Sequence, residues 1–300
     1  MSDAGAASDT SVVICTLNRP QGALAAVESV LRDESCAEVV VVDQSEGYET
    51  SELLSALQAP KLRMVCSSPR GLAAARNSGV AACAGDIIAF TDDDCEPVPG
   101  WLAGMRSAFD RDPRIALVFG NVLAPDYDRG IGFVPAYRVK KFTLADRLGQ
   151  KAEIEGMGAC MAIRRTAWEA LTGFDEVLGC GARFRAGEDT DFVVRALVEG
   201  WKVAETPDAS VVHHGFRTWA QGRDLISGYM YGLGATNVKM LRLGGWHAVR
   251  PLSALAWRWL AGSPIVDLNQ LPPRWPRLKA FLRGAADGMG LRVKKGGRFG

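Results

Sequence analysis

Unbroken runs of apolar, largely β-branched residues punctuate the first hundred positions, and each stops abruptly at polar side chains. Ser11-Val12-Val13-Ile14-Cys15 gives way to Thr16-Leu17-Asn18-Arg19-Pro20, and Val39–Val42 to Asp43-Gln44-Ser45. Leu62–Cys66 precedes a segment holding Arg70 and Arg76, and Gly85–Phe90 runs into Thr91-Asp92-Asp93-Asp94. The runs Val12–Cys15, Val39–Val42 and Ile87–Phe90, without alternation, indicate strands covered on both faces, and Leu62–Cys66, which holds Arg63, reads as a third strand. Between the first two lies a helix over Gln21–Arg32, with Ala25, Val27, Val30 and Leu31 on its apolar side and Pro20 suited to its first turn. Another helix is expected over about Ser51–Gln58, and Arg70–Asn77 reads as a small-residue helix start. Strands alternating with helices predict βαβ units and an α/β fold with a mostly parallel sheet. The polar groups after each strand then gather at the C-terminal edge of that sheet, where such folds bind ligands.

Asp92-Asp93-Asp94 is the densest of these groups. Three like charges at one strand end repel one another and are costly to desolvate. Short carboxylates suit a hard divalent cation such as Mg²⁺ or Mn²⁺, completed by phosphate oxygens and water. A solvated acidic turn is the competing reading. No G-x-G-x-x-G follows the first strand and no G-x-x-x-x-G-K-[ST] loop is present, so neither a dinucleotide dehydrogenase nor a P-loop NTPase is supported.

Downstream, residues 123–156 read as a mobile loop, with Asp126-Tyr127-Asp128, Gly130, Gly132 and the Arg138-Lys140-Lys141 cluster. Glycines 179, 181 and 187 surround Phe184 in a loop expected to be flexible. A helix over about Glu188–Glu199 follows, with Glu188, Asp189 and Asp191 in its first turn; Asp191 is four residues before Arg195 and suited to pair with it. His213-His214 ends a strand over Ser210–Val212, so at most one of the two faces a site. Trp101 and the Trp168–Phe174 segment fit core packing.

Composition adds three bounds. With 48% hydrophobic and 23% charged residues, the chain of 300 residues resembles an ordinary globular protein. Its seven cysteines are scattered without a C-x-x-C pair, which predicts reduced thiols, a cytoplasmic setting and neither a disulfide framework nor a zinc site. No signal-peptide pattern opens the chain, and residues 1–10 are expected to be disordered. The net charge of +1 conceals an asymmetry: from Gly215 onward there are 14 Lys/Arg against 3 Asp/Glu, leaving 21 against 31 in residues 1–214. A basic tail suits phosphates or anionic lipid, and a merely solvated tail is equally open. Ala248–Val266, the most apolar late stretch, is broken by Arg250, Pro251 and Arg258 and is a poor membrane span. A helix running to Arg242 and a short basic amphipathic helix over Trp275–Arg283 are expected there. The second can lie on an anionic membrane, pack on the body or form a dimer contact.

The ordered blocks SVVICTLNRP, VVVVDQS, RGLAAARNSGV and DIIAFTDDDCEP resemble a family 2 glycosyltransferase of the GT-A fold. Gly158–Arg165, Thr172-Gly173-Phe174-Asp175-Glu176, Gly187-Glu188-Asp189 and Val211-Val212-His213-His214 continue the match over roughly residues 11–215. The resemblance is to bacterial enzymes that build surface polysaccharides or decorate glycans and lipids. It implies a GT-A catalytic domain over 11–215 with a basic, Trp-containing helical extension over 216–300.

The resemblance also implies a chemistry. A sugar passes from a nucleotide-diphosphate sugar, with UDP favoured, to a hydroxyl of a glycan, lipid-linked or small-molecule acceptor with inversion. Mn²⁺ or Mg²⁺ meets the leaving diphosphate, and a base takes the acceptor proton. Asp94 is implied as the metal ligand, Asp92 at the ribose or beside the metal, and Asp93 in the same motif. Asp43 is implied at the nucleobase, with Thr16, Asn18 and Arg19 lining that pocket. Arg76 offers a fork to a phosphate or the base, or is a helix-surface arginine. Asp189 is implied as general base with Glu188 second, and His213 fits the family's metal or diphosphate histidine better than His214. No nucleic-acid partner is expected; a homodimer and peripheral membrane contact stay open. A sugar-phosphate nucleotidyltransferase would need a Gly-rich basic loop after the first strand, and a non-catalytic glycan- or partner-binding protein would predict decay of the acidic motifs.

Overall fold

The computed structural model describes residues 10–245, 248, 249, 253, 254, 257, 273–294 and 296–300. Expectations for residues 1–9 and for most of Ala248–Val266 fall outside them, whereas Thr10, expected to be disordered, is buried and opens the first strand. In chain order the main elements are β1 (Thr10–Thr16), α1 (Pro20–Leu31), β2 (Glu38–Asp43), α2 (Glu49–Ser55), β3 (Leu62–Cys66), α3 (Leu72–Ala82) and β4 (Ile87–Asp92). Then come β5 (Cys95–Pro97), α4 (Trp101–Asp110), β6 (Ile115–Leu123), β7 (Gly132–Phe133), β8 (Thr143–Ala145), β9 (Met161–Arg164) and α5 (Arg165–Ala170). The chain continues through α6 (Glu188–Val198), β10 (Lys202–His213), β11 (Arg217–Thr218), α7 (Trp219–Gly244) and α8 (Arg274–Met289).

One sheet runs in the order β3-β2-β1-β4-β9-β6-β10-β5, with β8 also paired to β10. Strands β3, β2, β1 and β4 are mutually parallel, so Thr16, Asp43 and Asp92 end at the same edge. β9 lies antiparallel between β4 and β6, and β10 runs parallel to β6. Val39–Val42 are fully buried, each worth roughly 1.5–3 kcal/mol relative to exposure. That is why an unbroken valine run forms an inner strand. α3 lies close on the sheet because Gly79 has no side chain: a Cβ there would come within 2.5 Å of Val13.

Several boundaries differ from expectation. α2 starts at Glu49, where two glutamates complement its N-terminus, and cannot include Gln58, whose φ is +47°. β4 extends to Asp92, placing the first carboxylate inside the strand. β10 has 12 residues rather than a short Ser210–Val212 run, with a register break between Glu205 and Ser210. The segment 123–156 carries β7, β8 and a 3₁₀ turn at Leu148–Glu153, and Tyr137 bridges to Val122. Phe184 is buried against Tyr231 and Phe299, so the glycine loop around it is anchored.

α7 opens with a capping box of Thr218 and Gln221. Glycines of α7 and α8 bring α7 against the body and the two helices against each other. A Cβ at Gly232 would meet the Ala186 carbonyl at 2.6 Å, and one at Gly288 would meet the Ala235 backbone at 2.9 Å. Lys239 of α7 is fully buried and pairs with Asp175 and Asp191, while Arg195 pairs with Asp191 at 2.8 Å, as its spacing predicts. The Phe299 amide also donates to Asp175 at 2.7 Å. The C-terminal helices are thus tied by buried charge to α6, whose first turn carries Glu188 and Asp189.

Candidate active site

At the C-terminal edge of the sheet lies a cleft of about 810 Å³. Its walls include Thr16, Arg19, Gln44, Arg70, Asp92–Asp94, Glu188, Asp189, His213 and Arg217. Three residues of α7, Leu225, Tyr229 and Leu233, complete one side.

The turn from β4 to β5 sends its carboxylates in different directions. Asp93 turns toward α1, accepting from the Thr16 hydroxyl at 2.8 Å and from Arg19 Nη1 at 2.9 Å. Asp94 Oδ2 accepts from the same Arg19 nitrogen at 2.9 Å, with Arg217 Nη2 3.8 Å away. Asp94 Oδ1 lies 3.3 Å from His213 Nε2. Asp92 faces the cleft floor, 3.6 Å from Arg76.

His213 is oriented by its other nitrogen, since Nδ1 donates to the Pro135 carbonyl at 2.9 Å. This fixes the tautomer and leaves Nε2 as the ligand atom. His214 points the other way, is exposed and stands 3.5 Å from Glu96. Burial works against a charged His213, but the adjacent Asp94 outweighs it and holds the imidazole above its ordinary range. Burial likewise opposes ionisation of Asp94, yet His213 and Arg19 hold it well below the usual carboxylate range.

These residues fit a divalent cation. One atom each from Asp94, His213 and Cys95 lie within 4.8 Å of one another. Gly215 keeps the space beside them open: a Cβ there would sit 2.5 Å from His213 Nε2 and 2.8 Å from Asp94 Oδ2. Carboxylate and imidazole both bind Mn²⁺, whereas the buried Cys95 thiol has its pKa raised well above the ordinary value and stays protonated.

Across the cleft, the first turn of α6 presents two different carboxyls. Glu188 is buried and receives Arg76 Nη1 at 2.9 Å. Burial and the neighbouring Asp189 charge push it up to about 7, against the pull of Arg76. Asp189 is only half-buried, lines the cleft and accepts from the Thr190 amide at 2.6 Å.

Arg76 is neither a helix-surface residue nor a free fork. It is 2% exposed, donates to Glu188 and to the Gly158 carbonyl at 3.2 Å, and lies 5.8 and 5.9 Å from the Phe90 and Phe174 ring centroids. It braces β4 against α6. Gly158 permits this, because a Cβ there would meet Arg76 Nη2 at 2.7 Å. Asp43 is buried and accepts from the Ser45 amide at 2.9 Å, while Ser45 Oγ accepts from the Asn18 amide at 2.7 Å. Asn18 itself is exposed with φ +55°. Asp43 and Asn18 therefore shape the loops behind the cleft, whereas Thr16, Arg19, Asp92, Asp93, Asp94, Glu188, Asp189 and His213 come together within it. Gln44, Arg217 and Tyr229 also line it without having been singled out by sequence; only the position of Arg217 two residues after Gly215 offered a local signal.

Residues 11–172 match the family model described as Glycosyl transferase family 2. The pre-mycofactocin glycosyltransferase of Mycobacterium tuberculosis is 32% identical over 48% of this chain and 30% of its own length. The succinoglycan biosynthesis protein ExoO of Rhizobium meliloti is 28% identical over 69% of this chain and 60% of its own. This chain therefore spans less than two thirds of either relative. Among solved structures, a mannosyltransferase from Pyrobaculum calidifontis in complex with GDP-Man and Mn²⁺ superposes with a TM-score of 0.63 at 19% identity, over 96% of this chain and 77% of that one.

Proposed function

The chain belongs to glycosyl transferase family 2 with a GT-A fold, and from that premise we propose that it is a metal-dependent, inverting enzyme using a nucleoside-diphosphate sugar. The observation that carries this reading is the Asp94–His213 pair, with the gap left by Gly215, set in the same cleft as the half-buried Asp189.

Asp94 and His213 would hold Mn²⁺ or Mg²⁺, which supplies positive charge to the leaving diphosphate. Arg19 and Arg217 flank Asp94 and add fixed donors for phosphate oxygens. Thr16 and Asp93 orient Arg19, and Asp92 reaches the cleft floor for the ribose or the metal's water. Asp43 and Asn18 support the nucleobase end from the loops behind the cleft without lining it, with UDP the favoured nucleotide. Asp189 takes the proton from the acceptor hydroxyl, because it is the accessible member of the acidic pair. Glu188, committed to Arg76, sets the position of that first turn. Leu225, Tyr229 and Leu233 wall the side where a glycan, lipid-linked or small-molecule acceptor enters. All seven cysteines are free, which supports a reducing, cytoplasmic setting.

The test combines nucleotide binding with turnover. Calorimetry with UDP, GDP and dTDP in Mn²⁺, Mg²⁺ or EDTA should show one nucleotide binding in a metal-dependent way. Asp189→Asn should keep that binding and lower turnover by about 10²–10⁴-fold. Full activity in Asp189→Asn removes it as base, and metal-independent nucleotide binding removes the Asp94–His213 assignment.

A further inference from the structure

The face of α8 turned away from α7 is apolar at its centre and basic at its margins. Trp275, Lys279, Leu282, Ala286 and Met289 follow one another at helical spacing, within about 80° at 100° per residue. All five are exposed, Trp275 by 77%, Leu282 by 56% and Met289 by 58%. The opposite face, with Arg277, Gly284 and Gly288, is buried, and Gly288 fits against Ala235 of α7. The exposed stripe is therefore distinct from the face by which α8 packs on the body.

Charge identifies its occupant. Arg274, Lys279 and Arg283 lie along or beside the stripe, all exposed. From residue 273 to the end there is a single acidic residue, Asp287, and it accepts from the Tyr231 hydroxyl on α7 at 2.6 Å. Among the described residues no helix is long and apolar enough to cross a membrane. An apolar stripe rimmed by cations suits a helix lying in the interface plane of an anionic bilayer. A second copy of the chain would bring the same cations against one another, which disfavours a symmetric contact.

We infer that α8 docks the protein on anionic membrane, with Trp275, Leu282 and Met289 in the acyl boundary and Arg274, Lys279 and Arg283 at the headgroups. α8 itself and α7 lie between this face and the cleft, so docking places the acceptor side roughly 20 Å, two helix diameters, from the bilayer surface. The inference goes beyond glycosyl transfer, because docking needs no donor, metal or acceptor.

Sedimentation of the full chain with vesicles of phosphatidylcholine containing 30% phosphatidylglycerol, and with phosphatidylcholine alone, tests it. The anionic vesicles should bind at least about tenfold more tightly, with most of the difference lost in 0.5 M NaCl. Each cation contributes a factor of about five, so Lys279→Glu/Arg283→Glu should weaken binding by at least about 25-fold. Trp275→Ala/Leu282→Ala should weaken it on both lipids, while nucleotide affinity stays unchanged in every variant. Equal binding of wild type and both double variants, or no sedimentation with anionic vesicles at low salt, overturns the inference. So does a concentration-dependent dimer by light scattering that Trp275→Ala/Leu282→Ala abolishes, which would assign the stripe to a second copy. Loss of turnover with vesicle binding intact would count against the catalytic reading alone.

Discussion

Nε2 of His213 stands 3.3 Å from Oδ1 of Asp94, and the histidine is held there by its own Nδ1 bond to the Pro135 carbonyl. Two acceptor atoms facing each other at this distance need a proton or a cation between them. If the cation is the working state, His213→Ala and Asp94→Asn should each weaken Mn²⁺-dependent nucleotide binding by about tenfold or more, the scale at which even supporting residues of metal sites act. Calorimetry with and without EDTA reads this directly. Unaltered metal dependence in both variants would refute the pair as ligands.

Gly215 supplies a sharper test, because it carries no chemistry of its own. Gly215→Ala places a methyl group within 3 Å of both proposed ligand atoms. We expect Mn²⁺ affinity to fall by about tenfold while thermal stability stays near wild type. Normal metal binding would mean that the cation sits elsewhere in the cleft.

Glu188 should make stability depend on pH. Its carboxyl is pushed up to about 7 in the folded protein by burial and by Asp189, from an ordinary value of 4.5. Between these values the folded chain retains a proton that the unfolded chain has released. Its contribution is therefore complete below pH 4.5 and is lost as pH rises through 7, at no more than about 1.4 kcal/mol per pH unit. Denaturant titrations at pH 5, 6, 7 and 8 should show wild type losing stability relative to Glu188→Gln as pH rises. A pH-independent difference would show that Arg76 keeps Glu188 ionised throughout.

Lys239 is the main electrostatic bond between the C-terminal helices and the body. Lys239→Met strands Asp175 and Asp191, both buried, leaving Arg195 as their cationic partner among the described residues. Unfolding free energy should drop by about 3–5 kcal/mol, and the double variant Lys239→Met/Asp175→Asn should recover a large part of it. Equal stability of the two variants would mean that packing of α7, not charge, is what Lys239 provides.

Local signals served well where a residue's neighbours along the chain decide its fate. The valine run of β2 could be read directly, because an inner strand of a parallel sheet needs unbroken apolar side chains. β10 could not. Its Glu205-Thr206-Pro207-Asp208 stretch looks like a turn, yet Glu205 is buried because its carboxylate accepts from Tyr137 and from the Glu155 and Gly156 amides. In the site, the acidic triplet and Glu188-Asp189 were visible as motifs, and their side-chain directions were not. Arg76 turns inward because Gly158, far downstream, leaves room for it. Tyr229 reaches the cleft because Gly232, a turn further along α7, lets that helix lie close to Ala186 in the loop before α6. Such long-range fits leave no local periodicity.

The placement of β9 has a consequence for how the chain comes together. β4, which carries the aspartates, is flanked by β1 on one side and by β9 on the other, and β9 is made long after β4. A nascent chain that has emerged only to residue 150 therefore presents Ile87–Phe90 as an open, apolar edge, ready to pair with any other strand. Fragments ending before residue 161 should aggregate, and a minimal folding unit must reach past β9 to close the strand on which the chemistry depends.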